Sequence, residues 1–169
     1  MPVPAVWLRL GAVLRPWFAA AFTLDTRSLA LYRIGLGCLL VADSLLRSRD
    51  VSLMLGPDGI MPPDLVRTYL GHPTQWSLAL AHDALWWNGC VLGLEALAGL
   101  LLVAGLLTRT ATILGWIAVV SLIRRTVLAN NSGDIWLACQ LLWASFLPLA
   151  ARWSLDGRRA GGGPPPAAV

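Results

Sequence analysis

The chain has 169 residues, 57% of them apolar and only 13% charged, with a formal charge of +4 and a mean hydropathy of +0.66. So low a charge content is about half that of a soluble domain, and the length leaves no room for a separate soluble catalytic domain beside one helical bundle. All thirteen basic residues are arginines, which excludes chemistry needing an amine base of adjustable pKa, and the scattered positive charge fits a lipid bilayer as partner and not nucleic acid.

Along residues 1–24 the apolar residues are interrupted by Arg9, Arg15 and Pro16 before they reach the length of a signal peptide or a span. Trp7, Trp17, Phe18 and Phe22 beside those arginines suit an N-terminal interfacial helix lying among lipid headgroups. Asp25 or Thr26 then supplies a helix N-cap. Residues 25–157 read as one membrane domain, because a bilayer core of ~30 Å needs roughly 20 apolar residues in helix. Spans are predicted at about 28–46, 84–107, 110–123 and 134–151. Thr108 and Arg109 form a tight link that makes the second and third spans antiparallel neighbours. In the one long connection, Gly56-Pro57-Asp58-Gly59 is a turn signal, Pro62-Pro63-Asp64 starts a short helix ending near Gly71, and Trp76 begins a lead-in to the second span. Residues 158–169, rich in glycine and proline, read as a disordered cytoplasmic tail. The expected fold class is all-α integral membrane: a four-transmembrane-helix bundle with an N-terminal interfacial helix.

Seven arginines flank the spans on the amino-terminal side and five on the other, which places both termini in the cytoplasm of a bacterium whose inner membrane holds the protein. The 47–82 connection and the 124–134 turn then share the outer face.

Polar residues inside the spans need partners. Glu95 sits near the middle of the second span with no other charge, and an ionisable group there faces protein, not lipid. Asn88 and Glu95 share a face expected to point into the bundle, with Gly89, Gly93 and Gly99 close by, and Gly89 and Gly93 give a small-xxx-small spacing for close approach of another helix. Asp43 stands four residues before Arg47, the favourable order for a local ion pair. Arg33, Asp43, Glu95 and Gln140 are the candidate polar pocket: either a buried network of Arg33, Glu95 and Gln140 that fixes packing, or a cavity that binds an amphiphile or moves a proton. Cys38, Cys90 and Cys139 fall in separate apolar runs and read as small core residues. No metal site is expected.

The outer turn holds Arg124, Arg125, Asn130, Asn131 and Asp134. Capping and turn chemistry accounts for the asparagines and the aspartate. Two adjacent arginines facing that cap would also make a recess suited to an anionic or carbonyl group.

Ser28-Leu-Ala-Leu-Tyr-Arg-Ile-Gly-Leu-Gly, Val41-Ala-Asp-Ser-Leu-Leu-Arg47, Gly56-Pro-Asp-Gly-Ile-Met-Pro62, Gly105-Leu-Leu-Thr-Arg-Thr110, the stretch 125–134 and Arg152-Trp-Ser-Leu-Asp-Gly157 together resemble the HTTM family. That is the membrane domain shared by vitamin K-dependent gamma-carboxylases and many bacterial proteins. The resemblance covers about 24–157 and implies a polar site able to hold a quinone, an isoprenoid or another lipid. Gamma-carboxylases use a lysine as base in the segment matching 124–131, where this chain has Arg124 and Arg125. They also carry a large lumenal domain, so the resemblance does not extend to carboxylation. Two classes of function follow. The first is a non-catalytic or accessory module that binds a lipid-like ligand, or a membrane or secreted-peptide partner, as relatives resembling a sporulation-delaying protein help mature a peptide toxin. The second is a small quinone-handling oxidoreductase similar to DoxX-type proteins, with Glu95 or Asp43 relaying a proton.

Overall fold

A computed structural model describes residues 26–70, 76–150 and 153–156, and among these every regular element is helical. The expected interfacial helix of residues 1–24 and the tail of residues 158–169 lie outside the described residues.

The first helix, α1, spans Thr26–Arg49, 24 residues without a proline or an interior break, about 36 Å long at 1.5 Å per residue. Arg47 and Arg49 occupy its last turn, where the helix dipole favours cations. After Asp50 the chain makes a five-residue helix, α2 (Val51–Leu55), stopped by Gly56. The 56–59 turn forms as its residues predict, with the Gly59 amide bonded to the Gly56 carbonyl at 3.2 Å. Helix α3 (Pro63–Leu70) opens with proline at its first position, where the missing N–H costs nothing. A 3-10 turn at Leu78–Leu80 leads into α4 (Leu85–Ala104), followed by α5 (Thr108–Arg125) and α6 (Ser132–Ala144). In chain order α1 packs on α4, α4 on α5 and α5 on α6, with α2 and the 3-10 turn laid against α4 and α5.

Two boundaries differ from the sequence expectation. The link between α4 and α5 is Gly105-Leu106-Leu107, with Gly105 and Leu107 both at positive φ (69° and 46°), and Thr108 already begins the next helix. The last helix stops at Ala144, seven residues short of the expected end. Pro148 explains it: its ring has no N–H for the Ala144 carbonyl and disfavours helical backbone at the residue before it.

Two helices, α1 and α4, are long and apolar enough to cross a membrane. Helix α5 has 18 residues with Arg109, Arg124 and Arg125 at its ends. Helix α6 has 13 residues, about 20 Å of rise.

Glycine contacts fix how α1 and α4 meet. A Cβ on Gly37 would lie 2.6 Å from the Gly99 carbonyl oxygen, and one on Gly99 would lie 2.7 Å from that of Gly37. The two backbones touch there, and only glycine fits on either side. Gly89 and Gly93, the expected contact pair, have no atom within 4 Å of a Cβ. They lie on the outer side of α4, because its buried stripe runs through Asn88, Val91, Leu92, Glu95, Ala98, Gly99 and Leu102.

The distribution of polarity is inverted relative to a water-soluble bundle. Arg33, Asn88, Glu95, Thr112, Ser121 and Arg125 are fully buried, whereas Leu31, Leu45, Leu100, Ile135, Trp143 and Phe146 are exposed. Cys38, Cys90 and Cys139 are free thiols on the exposed faces of their helices, and not core residues as expected. Both faces of each helix are apolar, so hydropathy carries no signal for which side a cysteine takes.

Candidate functional site

The long connection and the 124–134 turn meet at one end of the bundle, and Arg125 joins them. Its guanidinium is fully buried and donates to the carbonyls of Met61 (2.7 Å), Leu55 (3.1 Å) and Gly56 (3.4 Å). Asn88 donates to the same Leu55 carbonyl at 3.2 Å. These donors satisfy the C-terminal carbonyl of α2, which its five residues leave without a helical partner. Arg125 therefore holds the connection down and does not line a ligand site. Arg124 turns the other way, into an apolar groove between α5 and α6 beside Ile123, Val127, Ile135 and Leu142. Asn130 accepts from the Thr126 hydroxyl at 3.0 Å and donates to the Ile123 carbonyl, finishing α5.

Asn131 and Asp134 form a reciprocal cap at the start of α6. The Asn131 side chain accepts from the amides of Gly133 (2.7 Å) and Asp134 (3.2 Å), and the Asn131 amide donates to Asp134 Oδ2 (3.0 Å). That arrangement leaves the second Asp134 oxygen free to face α1. Arg47 fills the position: Nη2 donates to Asp134 Oδ1 at 2.7 Å while Nε donates to Asp43 Oδ2 at 2.8 Å. All three side chains are less than a quarter exposed, so the pairs are weakly screened. One guanidinium thus ties α1 to the N-terminus of α6.

Around this triad lies a recess of about 290 Å³, lined by the polar Asp43, Arg47, Asn131 and Asp134 and by the apolar Leu46, Met54 and Leu55. Asp50 also reaches it. Asp43, Arg47 and Asp50 are spaced four and three residues apart, one face of α1. Three carboxylates against one guanidinium make the recess negative. The expectation of an anion site built from Arg124 and Arg125 is corrected accordingly: the arginine here is Arg47, and the surroundings favour a hydrogen-bond donor or a cation.

The four expected pocket residues do not gather in one place. Antiparallel packing sets Gly37 against Gly99 and Ser44 Oγ on the Leu92 carbonyl at 2.8 Å, which brings Asp43 level with Glu95. Glu95 is fully buried and no donor reaches either of its oxygens. Its charged neighbours are Asp43, Arg47 and Asp134. The same register places Arg33 against Gly105, where a Cβ would collide with the guanidinium, ten residues or about 15 Å along α4 from Glu95. Arg33 donates instead to the Trp153 carbonyl at 2.7 Å. Gln140 Oε1 accepts from the Tyr32 hydroxyl at 2.6 Å. The buried network of Arg33, Glu95 and Gln140 does not form.

At the opposite end, Asp156 caps α5 from a distance. Its carboxylate accepts from the amides of Leu107 and Thr108, both at 3.0 Å, and from the Thr108 hydroxyl at 3.1 Å. The Asp156 amide donates to the Gly105 carbonyl at 3.1 Å. Leu107 is a poor N-cap with no side-chain oxygen, and that deficiency at a helix start was the available hint that an acidic residue elsewhere completes it. Arg47 was legible as a partner of Asp43; its bond to Asp134 was not, because nothing local couples residues so far apart in the chain.

No protein-family model, curated protein or solved structure matches the chain.

Proposed function

We propose that this chain is an integral membrane module, a four-transmembrane-helix bundle of HTTM type, that binds the polar head of a lipid or quinone-like amphiphile in the recess beside Arg47. The membrane part of the reading draws on the inverted polarity. Large apolar side chains on all helices face outward while arginine, glutamate and asparagine are enclosed, the pattern that lipid as the surrounding solvent requires. Trp76 and Trp86 at the loop-bearing end and Trp153 at the other are all about half exposed or more, as an aromatic belt at each interface would be. In this reading the bundle lies in a bacterial inner membrane with both termini cytoplasmic.

The HTTM reading is supported by where its motif segments lie. Stretches 41–47 and 125–134 both contribute to the recess, Arg125 ties the 56–62 turn down beside it, and residues 105–110 and 153–156 meet at the Asp156 cap. Carboxylase activity is not part of the proposal, because arginine cannot serve as the base that a lysine provides. The module acts as a binding or accessory component for a membrane or secreted-peptide partner.

The recess carries the functional reading. Its lining combines carboxylate acceptors and one guanidinium with the apolar Leu46, Met54 and Leu55, as a head-plus-chain ligand requires. Mass spectrometry of lipid copurifying with the protein tests this directly. The expected result is a hydroxylated or amine-bearing amphiphile retained by wild type and depleted at least tenfold in Leu46→Glu, a substitution at the recess wall. Equal lipid profiles in the two proteins would refute binding at this place. The quinone-handling oxidoreductase reading, similar to DoxX-type proteins, draws on one observation: Glu95 lies directly behind Asp43.

A further inference from the structure

Glu95 is the least explained group in the molecule. It is completely buried near the middle of α4, and neither oxygen meets an N–H or O–H donor. Arg47, the nearest cation, spends its hydrogen bonds on Asp43 and Asp134. From α2, the 3-10 turn and α5, the other elements packed on α4, no charged side chain turns toward Glu95, and from α6 only Asp134 does; Arg125 faces the carbonyls of residues 55–61. The register that sets Gly37 against Gly99 and Ser44 Oγ on the Leu92 carbonyl brings the Asp43 carboxyl beside Glu95, as its nearest acidic neighbour. Two carboxylates are both acceptors and repel; they bond only when one of them holds a proton.

We infer that Glu95 and Asp43 share one proton and form an acid–base site that opens into the recess through Asp43. Charge accounting supports this. With the proton shared, the pair carries one negative charge in place of two, so that Arg47 faces two negative charges, the pair and Asp134, and not three. With both carboxyls ionised, a fully buried group would carry a charge that no hydrogen bond compensates. Asp43 is about a quarter exposed and lines the recess, so it is the member that meets a ligand, and Glu95 is the enclosed reservoir behind it.

The site suits a ligand hydroxyl of phenol or quinol type. The hydroxyl gives its proton to the pair, which becomes two neutral carboxyls. The ligand is left as an oxyanion beside the Arg47 guanidinium, and the reverse step returns the proton. No electron moves in this step. The ligand half of the inference rests on the recess being the binding place proposed above; the shared proton does not.

Infrared spectroscopy of the full chain in lipid nanodiscs at neutral pH tests the two halves separately. Without ligand, the carbonyl band of a protonated carboxylic acid is expected in wild type, lost in Glu95→Gln and displaced in Asp43→Asn. Absence of that band, or a band that neither substitution alters, overturns the shared proton. The wild-type band is expected to shift on transfer to heavy water, since Asp43 borders the open recess, and a band that does not exchange overturns the opening. In the second arm a short-chain ubiquinol is added without oxygen. Binding is expected to enlarge the acid band, and Asp43→Asn to weaken binding at least tenfold. Binding with no change in the band overturns proton exchange with the ligand, whereas the band without binding upholds the shared proton and overturns the recess as a quinol site.

Discussion

Arg47 stands where three separate demands meet: it closes the last turn of α1, neutralises Asp43, and reaches across to the cap of α6. A surface arginine in an i,i+4 pair contributes a few tenths of a kcal/mol. Here the guanidinium is about a fifth exposed, and its loss leaves Asp43, Asp134 and Glu95 facing one another without a cation. Arg47→Met is therefore expected to lower stability by roughly 3 kcal/mol. Arg124→Met, a substitution in an apolar groove, is expected to change it by less than about 0.5 kcal/mol. Thermal unfolding in detergent compares the two, and similar losses would remove Arg47 from its assigned role. At this scale the sequence was half legible. The Asp43–Arg47 pair follows from helical spacing, and the Asn131–Asp134 cap from residue type and position. Which of three neighbouring arginines would complete the triad depends on helix register, and residue type is silent on that.

Helix α1 and helix α4 make the principal contact of the bundle, and its closeness depends on two glycines. The expected outcome of Gly37→Val is a loss of about 1–3 kcal/mol, since the added atoms meet backbone that cannot move aside. Gly89→Ala and Gly93→Ala meet open space. Each is expected to be neutral or to raise helix stability by up to about 1 kcal/mol. Melting temperatures of the three variants check the register, and a destabilised Gly93→Ala with a tolerated Gly37→Val would invert the assignment. The sequence offered several glycines at suitable spacing on α4, and spacing alone selected the wrong pair. The stripe that carries Asn88 and Glu95 also carries Gly99, so the polar residues were the better guide to the buried face. The early end of α6 is likewise a local matter that Pro148 announces in the sequence.

A bundle that encloses Arg33, Glu95 and Arg125 and exposes many of its leucines has the polarity that surrounding hydrocarbon would favour. The three exposed thiols test this, because Cys38, Cys90 and Cys139 sit on the outward faces of three different helices. In intact membranes they are expected to react with a lipid-soluble maleimide at least tenfold faster than with a charged, membrane-impermeant one. Comparable rates would mean that water reaches those faces. Cysteines introduced at residues 58 and 128 are both expected to react from the same side of the membrane, because Arg125 joins the two connections. Labelling from opposite sides would contradict the joined loops.

Composition and the long, sparsely charged apolar runs of α1 and α4 already determined an all-helical chain with two helices long and apolar enough to cross a membrane, because hydrocarbon tolerates only backbone that bonds to itself. The turn at 56–59, the short helix after Pro62 and the cap at Asn131 were equally legible, since each depends on residues within a few positions of one another. Tertiary structure alone decided that Arg33 serves the 105–156 end and not Glu95, that Arg125 anchors a loop and does not bind an anion, and that Glu95 stands behind Asp43. Each of these depends on how far one helix slides along another. A slide of a single turn exchanges the partners of every buried charge while leaving the apolar pattern of both helices unchanged.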